Sequence, residues 1–194
     1  MVCKVAYLPT VHQAELGGGS RGTTLGNGGD RYITIPDYII TSAKRDMYRH
    51  GGITPTLIVC GTRKTVSFLM PESGKRNARA EKLIRLATQL AHSRTVGEID
   101  LVVLVTQAWA SPARMPFIIP SQDKNRCEVL VISALEGVTK VQKLLLFACI
   151  RAQNGVVTDL KPLPVPAYVK VEGPLLRAFL TGYRLAMVAS LPTP

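Results

Sequence analysis

EIDLVVLVTQAW, residues 98–109, is apolar without alternation from Leu101 to Val105. A strand with one wet face alternates apolar and polar residues. A run that does not alternate is what a strand covered on both faces requires. The neighbouring stretches read as further strands. CEVLVISALEG (127–137) and KVQKLLLFACIRAQ (140–153) read as two strands joined by a tight turn at Glu136–Thr139. Asn154-Gly155 then marks a hairpin, because both positions tolerate positive φ, and VVTDLKPL (156–163) pairs back. On the other side, TPTLIVCG (54–61) and TVSFLMP (65–71) form a second hairpin around Thr62, Arg63 and Lys64. Hairpins impose antiparallel pairing.

Three helices complete the pattern. TIPDYIITSAKRDMYRHGG (34–52) starts at Pro36 and Asp37 and closes at Gly51 and Gly52, with Tyr38, Ile39, Ala43 and Met47 as its apolar side. SGKRNARAEKLIRLATQLAHSR (73–94) places Ala80, Leu83, Ile84, Leu86, Ala87, Leu90 and Ala91 on one side at helical spacing, with Lys82, Arg85 and Gln89 on the other. GPLLRAFLTGYRLAMVAS (173–190) has Pro174 near its start and packs with Leu175, Leu176, Phe179, Leu180, Tyr183 and Met187, leaving Arg177 and Arg184 opposite. KPLPVPAY (161–168) is a proline-stiffened connector. The expected fold class is α+β, a mostly antiparallel sheet with helices packed on it, not a doubly wound parallel sheet.

Residues 1–35 differ from the rest. KVAYL (4–8) suits a short strand, but LGGGSRGTTLGNGGD (16–30) is dense in glycine, with little to bury and much backbone entropy to lose. This segment is read as a flexible N-terminal arm, followed by one α+β domain over 36–194. GGGSRGTT (17–24) approaches a phosphate-binding loop, but Thr23 stands where the motif requires lysine and no helix follows, which argues against a bound nucleotide.

The bulk numbers narrow the function classes. The 194 residues are 46% hydrophobic and 19% charged, as in an ordinary globular protein, and the net charge is +11. Such a balance favours anionic partners: nucleic acid, whether DNA or RNA, an anionic membrane surface, or an acidic protein. Cys3, Cys60, Cys127 and Cys149 show no C-x-x-C pair and no zinc-finger spacing to histidine, so no metal is expected, and they read as reduced thiols. The first residues lack the apolar core of a signal peptide, and no stretch reaches the roughly 18 apolar residues of a membrane span. A cytoplasmic protein without membrane association or cofactor is the expectation.

Two candidate sites emerge. Between Arg63 and Arg94 lie Arg63, Lys64, Lys75, Arg76, Arg79, Lys82, Arg85 and Arg94, opposed only by Glu72 and Glu81. Lys75, Arg76 and Arg79 crowd a helix start, where the dipole disfavours cations unless an external anion shares the site. Lys75, Arg76, Arg79, Lys82 and Arg85 are therefore the expected nucleic-acid-binding residues. The ordinary reading of such a run is a solvated face.

The second candidate is the polar loop between strands, with Trp109, Arg114, Ser121, Asp123, Arg126 and Glu128. Loops at the ends of central strands often carry function. Trp109, the single tryptophan, is a candidate stacking platform, and Asp123 with Glu128 a candidate carboxylate pair for a small hydrolase. The ordinary reading is a turn in which Asp123 and Arg126 pair locally. His12, His50 and His92 sit in no triad motif, so no catalytic residue is assigned.

Gln107-Ala108-Trp109, followed by P-S-x-D-x-x-R-x-E over 120–128, resembles a group of uncharacterised bacterial and phage α+β proteins across residues 54–160. That resemblance implies the α+β arrangement and no activity. The leading functional expectation is a non-enzymatic protein that binds nucleic acid backbone through a basic helix face. It is compatible with membership of a larger complex. The alternative is an assembly subunit that uses its N-terminal arm, with a protein partner or self-association.

Overall fold

A computed structural model of the chain describes residues 33–70, 76–110, 126–139, 141–165 and 174–189, with the backbone alone at 76–79 and 174. The elements in order are α1 (Asp37–His50), β1 (Thr56–Gly61), β2 (Thr65–Leu69), α2 (Arg76–Ser93), β3 (Ile99–Ala110), β4 (Cys127–Glu136), β5 (Gln142–Arg151), β6 (Val157–Leu163) and α3 (Pro174–Ala189). The six strands form one sheet in the order β2-β1-β3-β4-β5-β6, and every neighbouring pair is antiparallel. The α+β class read from the sequence is the observed one.

β3 is buried on both faces, as its unbroken apolar run requires. Leu101, Val103 and Val105 join one core with Ile39, Ala43 and Met47 of α1 and with Leu130, Ile132, Phe147 and Leu160 of the other strands. Val102 points the other way, into a second core with Leu57 and Val59 of β1, Leu135 of β4, Leu83, Ala87 and Leu90 of α2, and Leu176, Phe179, Leu180 and Tyr183 of α3. The sheet therefore lies between α1 on one face and the α2–α3 pair on the other. Ile33 and Ile35, ahead of α1, are buried in the α1-side core, and the Lys143 ammonium donates to the Ile33 carbonyl at 3.0 Å. Residues 1–32 of the N-terminal segment lie outside the described residues.

α1 begins after Pro36, whose φ of −55° already suits the helix entry, and carries Asp37 in its first turn. It ends where Gly51, at φ 66°, returns its N–H to the Met47 carbonyl at 3.0 Å. Only the stripe Ile39, Ala43, Met47 is buried. Tyr38, expected on the apolar side, is 40% exposed, with its hydroxyl 3.9 Å from the Cys60 sulfur. It follows from helix geometry: Tyr38 stands about 100° from Ile39 and reaches the rim of the core rather than its floor.

The β4–β5 turn fits closely against the start of β3. The Gly137 N–H donates to the Asp100 carbonyl at 2.8 Å, and a Cβ there would stand 1.7 Å from the Ile99 carbonyl oxygen. Only glycine allows that approach. The β5–β6 turn at Asn154-Gly155 is the hairpin read from the sequence, with Gly155 at φ 82°.

Candidate functional site

α2 rises from the end of the β1–β2 hairpin and turns Leu83, Ala87, Leu90 and Ala91 toward the sheet. The same period leaves Lys82, Arg85, Gln89 and His92 exposed on the outer side. Glu81 is the single acid of the helix, and its first turn has none. Arg76 and Arg79 fall in the opening turns, where only the backbone is described, and Lys75 lies outside the described residues. At the far end, Arg94 takes a left-handed φ of 50°, and the Arg63 guanidinium donates to its carbonyl at 3.4 Å. The helix rises about 27 Å over its 18 residues. The Arg63–Arg94 pair is thus too far from Arg76 for both to hold one small anion.

The second candidate is brought together only in part. Trp109 pairs in register with Glu128, and Ala110 with Cys127. Arg126 lies over the Trp109 ring, its guanidinium carbon 4.7 Å from the centroid, and the indole is 42% exposed. Such a contact is worth about 0.5–1 kcal/mol at an exposed position. Arg114, Ser121 and Asp123 lie outside the described residues, so the expected Asp123–Glu128 and Asp123–Arg126 pairings do too.

Glu128 is not a free carboxylate. Arg151 grips it with two donors, Nε to Oε2 at 2.6 Å and Nη2 to Oε1 at 2.8 Å, and the Gln107 amide donates to Oε1 as well. Arg151 also donates to the Gly51 carbonyl at 2.6 Å and the Gly155 carbonyl at 2.7 Å, while the Ile53 N–H donates to Gln107 Oε1 at 3.2 Å. The hydrogen bond to Glu128 pushes the Arg151 guanidinium still further up from its ordinary value. A carboxylate holding three donors serves as a structural tie between strands.

Sequence reading missed Gln107 and Arg151. Their signal is hairpin register. Counting back through the β4–β5 turn from Val129 opposite Ala148 sets Arg151 diagonal to Glu128 on the same face.

Cys60 and Cys149 are not poised as nucleophiles. Burial pushes Cys60 up, and burial with the nearby Glu128 charge pushes Cys149 up to about 11. His50 and His92 sit in the last turns of α1 and α2, as expected, where a cation suits the helix end. Among the described residues no three His, Cys, Asp or Glu side chains are grouped to hold a metal, and no helix is long and apolar enough to cross a membrane. Comparison of the chain with protein-family models, with curated proteins and with solved structures finds no match. The geometry thus defines the class: an α+β protein with an antiparallel sheet between helical layers, a basic helix outside, and a polar clamp at one sheet end.

Proposed function

We propose that this chain binds nucleic acid, non-enzymatically, through the phosphate backbone along the outer face of α2. The observation that carries the reading is the exposure of Lys82 and Arg85 on a helix that also contains Arg76 and Arg79, with Glu81 as its sole acid. A solvated helix face normally mixes signs, because neighbouring opposite charges support each other at i, i+4. On α2 four Lys and Arg side chains outnumber the one acid, Glu81, and that surplus of positive charge gains most from an external polyanion. The overall charge of +11 steers such a partner from a distance. No base-reading motif accompanies the basic helix, so the contacts are to phosphate and largely independent of sequence.

The test is fluorescence anisotropy with labelled single- and double-stranded DNA and RNA over a salt series. Wild type is compared with an alanine variant at Arg76, Arg79, Lys82 and Arg85, and with Lys82→Ala/Arg85→Ala alone. Expected is salt-steep binding whose logarithmic slope falls by about 0.7–0.9 for each lost phosphate contact. Salt-insensitive binding by wild type, or equal slopes in all three proteins, defeats the reading.

A further inference from the structure

We propose that the outer side of α3, with the groove beside it, is a docking surface for an acidic, amphipathic helical segment of another protein. α3 buries Leu176, Phe179, Leu180, Tyr183 and Ala186. A second stripe, Arg177, Thr181, Arg184 and Val188, recurs at helical spacing on the exposed side, with Leu185 next to it. Leu185 and Val188 are 67% and 68% exposed. Arg177, Thr181, Arg184 and Leu185 line a groove of about 380 Å³ with Leu135 and Leu180. The Arg184 guanidinium donates to the Gly137 carbonyl, which holds it at the groove wall, and the next residue in that turn, Val138, is 77% exposed.

Charge and hydropathy together select the occupant. Exposed leucine and valine gain nothing from a phosphate backbone, whereas apolar contacts ringed by arginine are typical of protein interfaces. A second copy is a poor fit. α3 contains no Asp or Glu, so two copies meeting through it would set arginines against arginines. Arg177 and Arg184 are seven residues, or about 10.5 Å, apart along the helix axis. The matching segment carries carboxylates at i and i+7 with leucine-like side chains at i+3 and i+4, laid helix against helix.

The probe is a fluorescein-labelled helical peptide with Glu at i and i+7 and Leu at i+3 and i+4, alongside its counterpart with Gln for Glu. Anisotropy is read on the full chain and on Leu185→Asp and Arg177→Glu, both at exposed positions, with thermal melts by circular dichroism to verify folding. Expected is saturable binding of the acidic peptide, weakened about tenfold by the Gln exchange and by each variant. The quadruple α2 variant should bind the peptide as wild type does, which separates this surface from the proposed nucleic-acid face. Absence of binding, or equal binding by the variants, overturns the proposal. So does a parallel loss of DNA or RNA binding in Leu185→Asp and Arg177→Glu. A wild-type dimer in sedimentation velocity that Leu185→Asp splits would assign the face to self-association instead.

Discussion

Arg151 ties together segments far apart in sequence: its own strand β5, Glu128 on β4, the Gly51 carbonyl after α1, and the Gly155 carbonyl in the β5–β6 turn. Both charged side chains are mostly buried. Removing one leaves the other without its counter-ion in a poorly hydrated place. Glu128→Ala and Arg151→Ala are each expected to cost about 3 kcal/mol in urea unfolding. The double variant should cost clearly less than the sum, and additive losses would show that the pair is not coupled. Cys149, adjacent on the same face, gives a pH signature. An unfolded thiol ionises near about 8.5, whereas the native one is held protonated up to about 11. The native state therefore keeps the proton longer. This contribution to stability is complete below the unfolded value and is lost as pH rises through the native one. Urea midpoints measured from about pH 8 upward should fall more steeply for wild type than for Cys149→Ala. The residue types in this clamp were visible in the sequence, and Glu128 was singled out. Its partners were not, because a diagonal contact depends on strand register.

At the scale of elements, periodicity served well where one packing surface dominates. Leu83, Ala87, Leu90 and Ala91 in α2 are buried as their spacing demands. Ile84, read as part of that face, is half-exposed, and what is covered of it lies against α3 rather than the sheet. Gly182 faces it so closely that a Cβ would lie 3.2 Å from Ile84 Cγ2 and 3.3 Å from its Cα. α2 and α3 pack backbone to side chain at this point. Helical spacing within one helix carries no record of where another crosses it. Gly182→Val should force the helices apart and lower stability by about 2 kcal/mol in thermal or urea unfolding, as overpacking typically does. A neutral result would mean that the crossing has room to spare.

For the molecule as a whole, β3 and β4 contribute to both cores, so the two helical layers pack on opposite faces of the same strands and share their fate. Unfolding is expected as one cooperative transition, with Trp109 fluorescence and far-ultraviolet circular dichroism coincident. Val102→Ala and Val103→Ala, on opposite faces of β3, should each lower the midpoint without separating the two signals. Distinct midpoints would show that the layers melt independently. The net charge of +11 is the other whole-molecule property, and α2 and α3 each carry part of it, α3 beside exposed apolar side chains.

By itself the sequence determined the elements, their antiparallel hairpins, the α+β class and the doubly covered β3, because apolar period and turn chemistry act over a few residues. It also marked the basic outer face of α2, since exposure there follows from the same period. Tertiary structure alone decided the strand order β2-β1-β3-β4-β5-β6, the split of helices between the two faces, the Glu128–Arg151–Gln107 clamp and the groove at α3. Each of those depends on contacts between residues distant along the chain. Such contacts are set by sheet register and helix crossing, which no local pattern encodes.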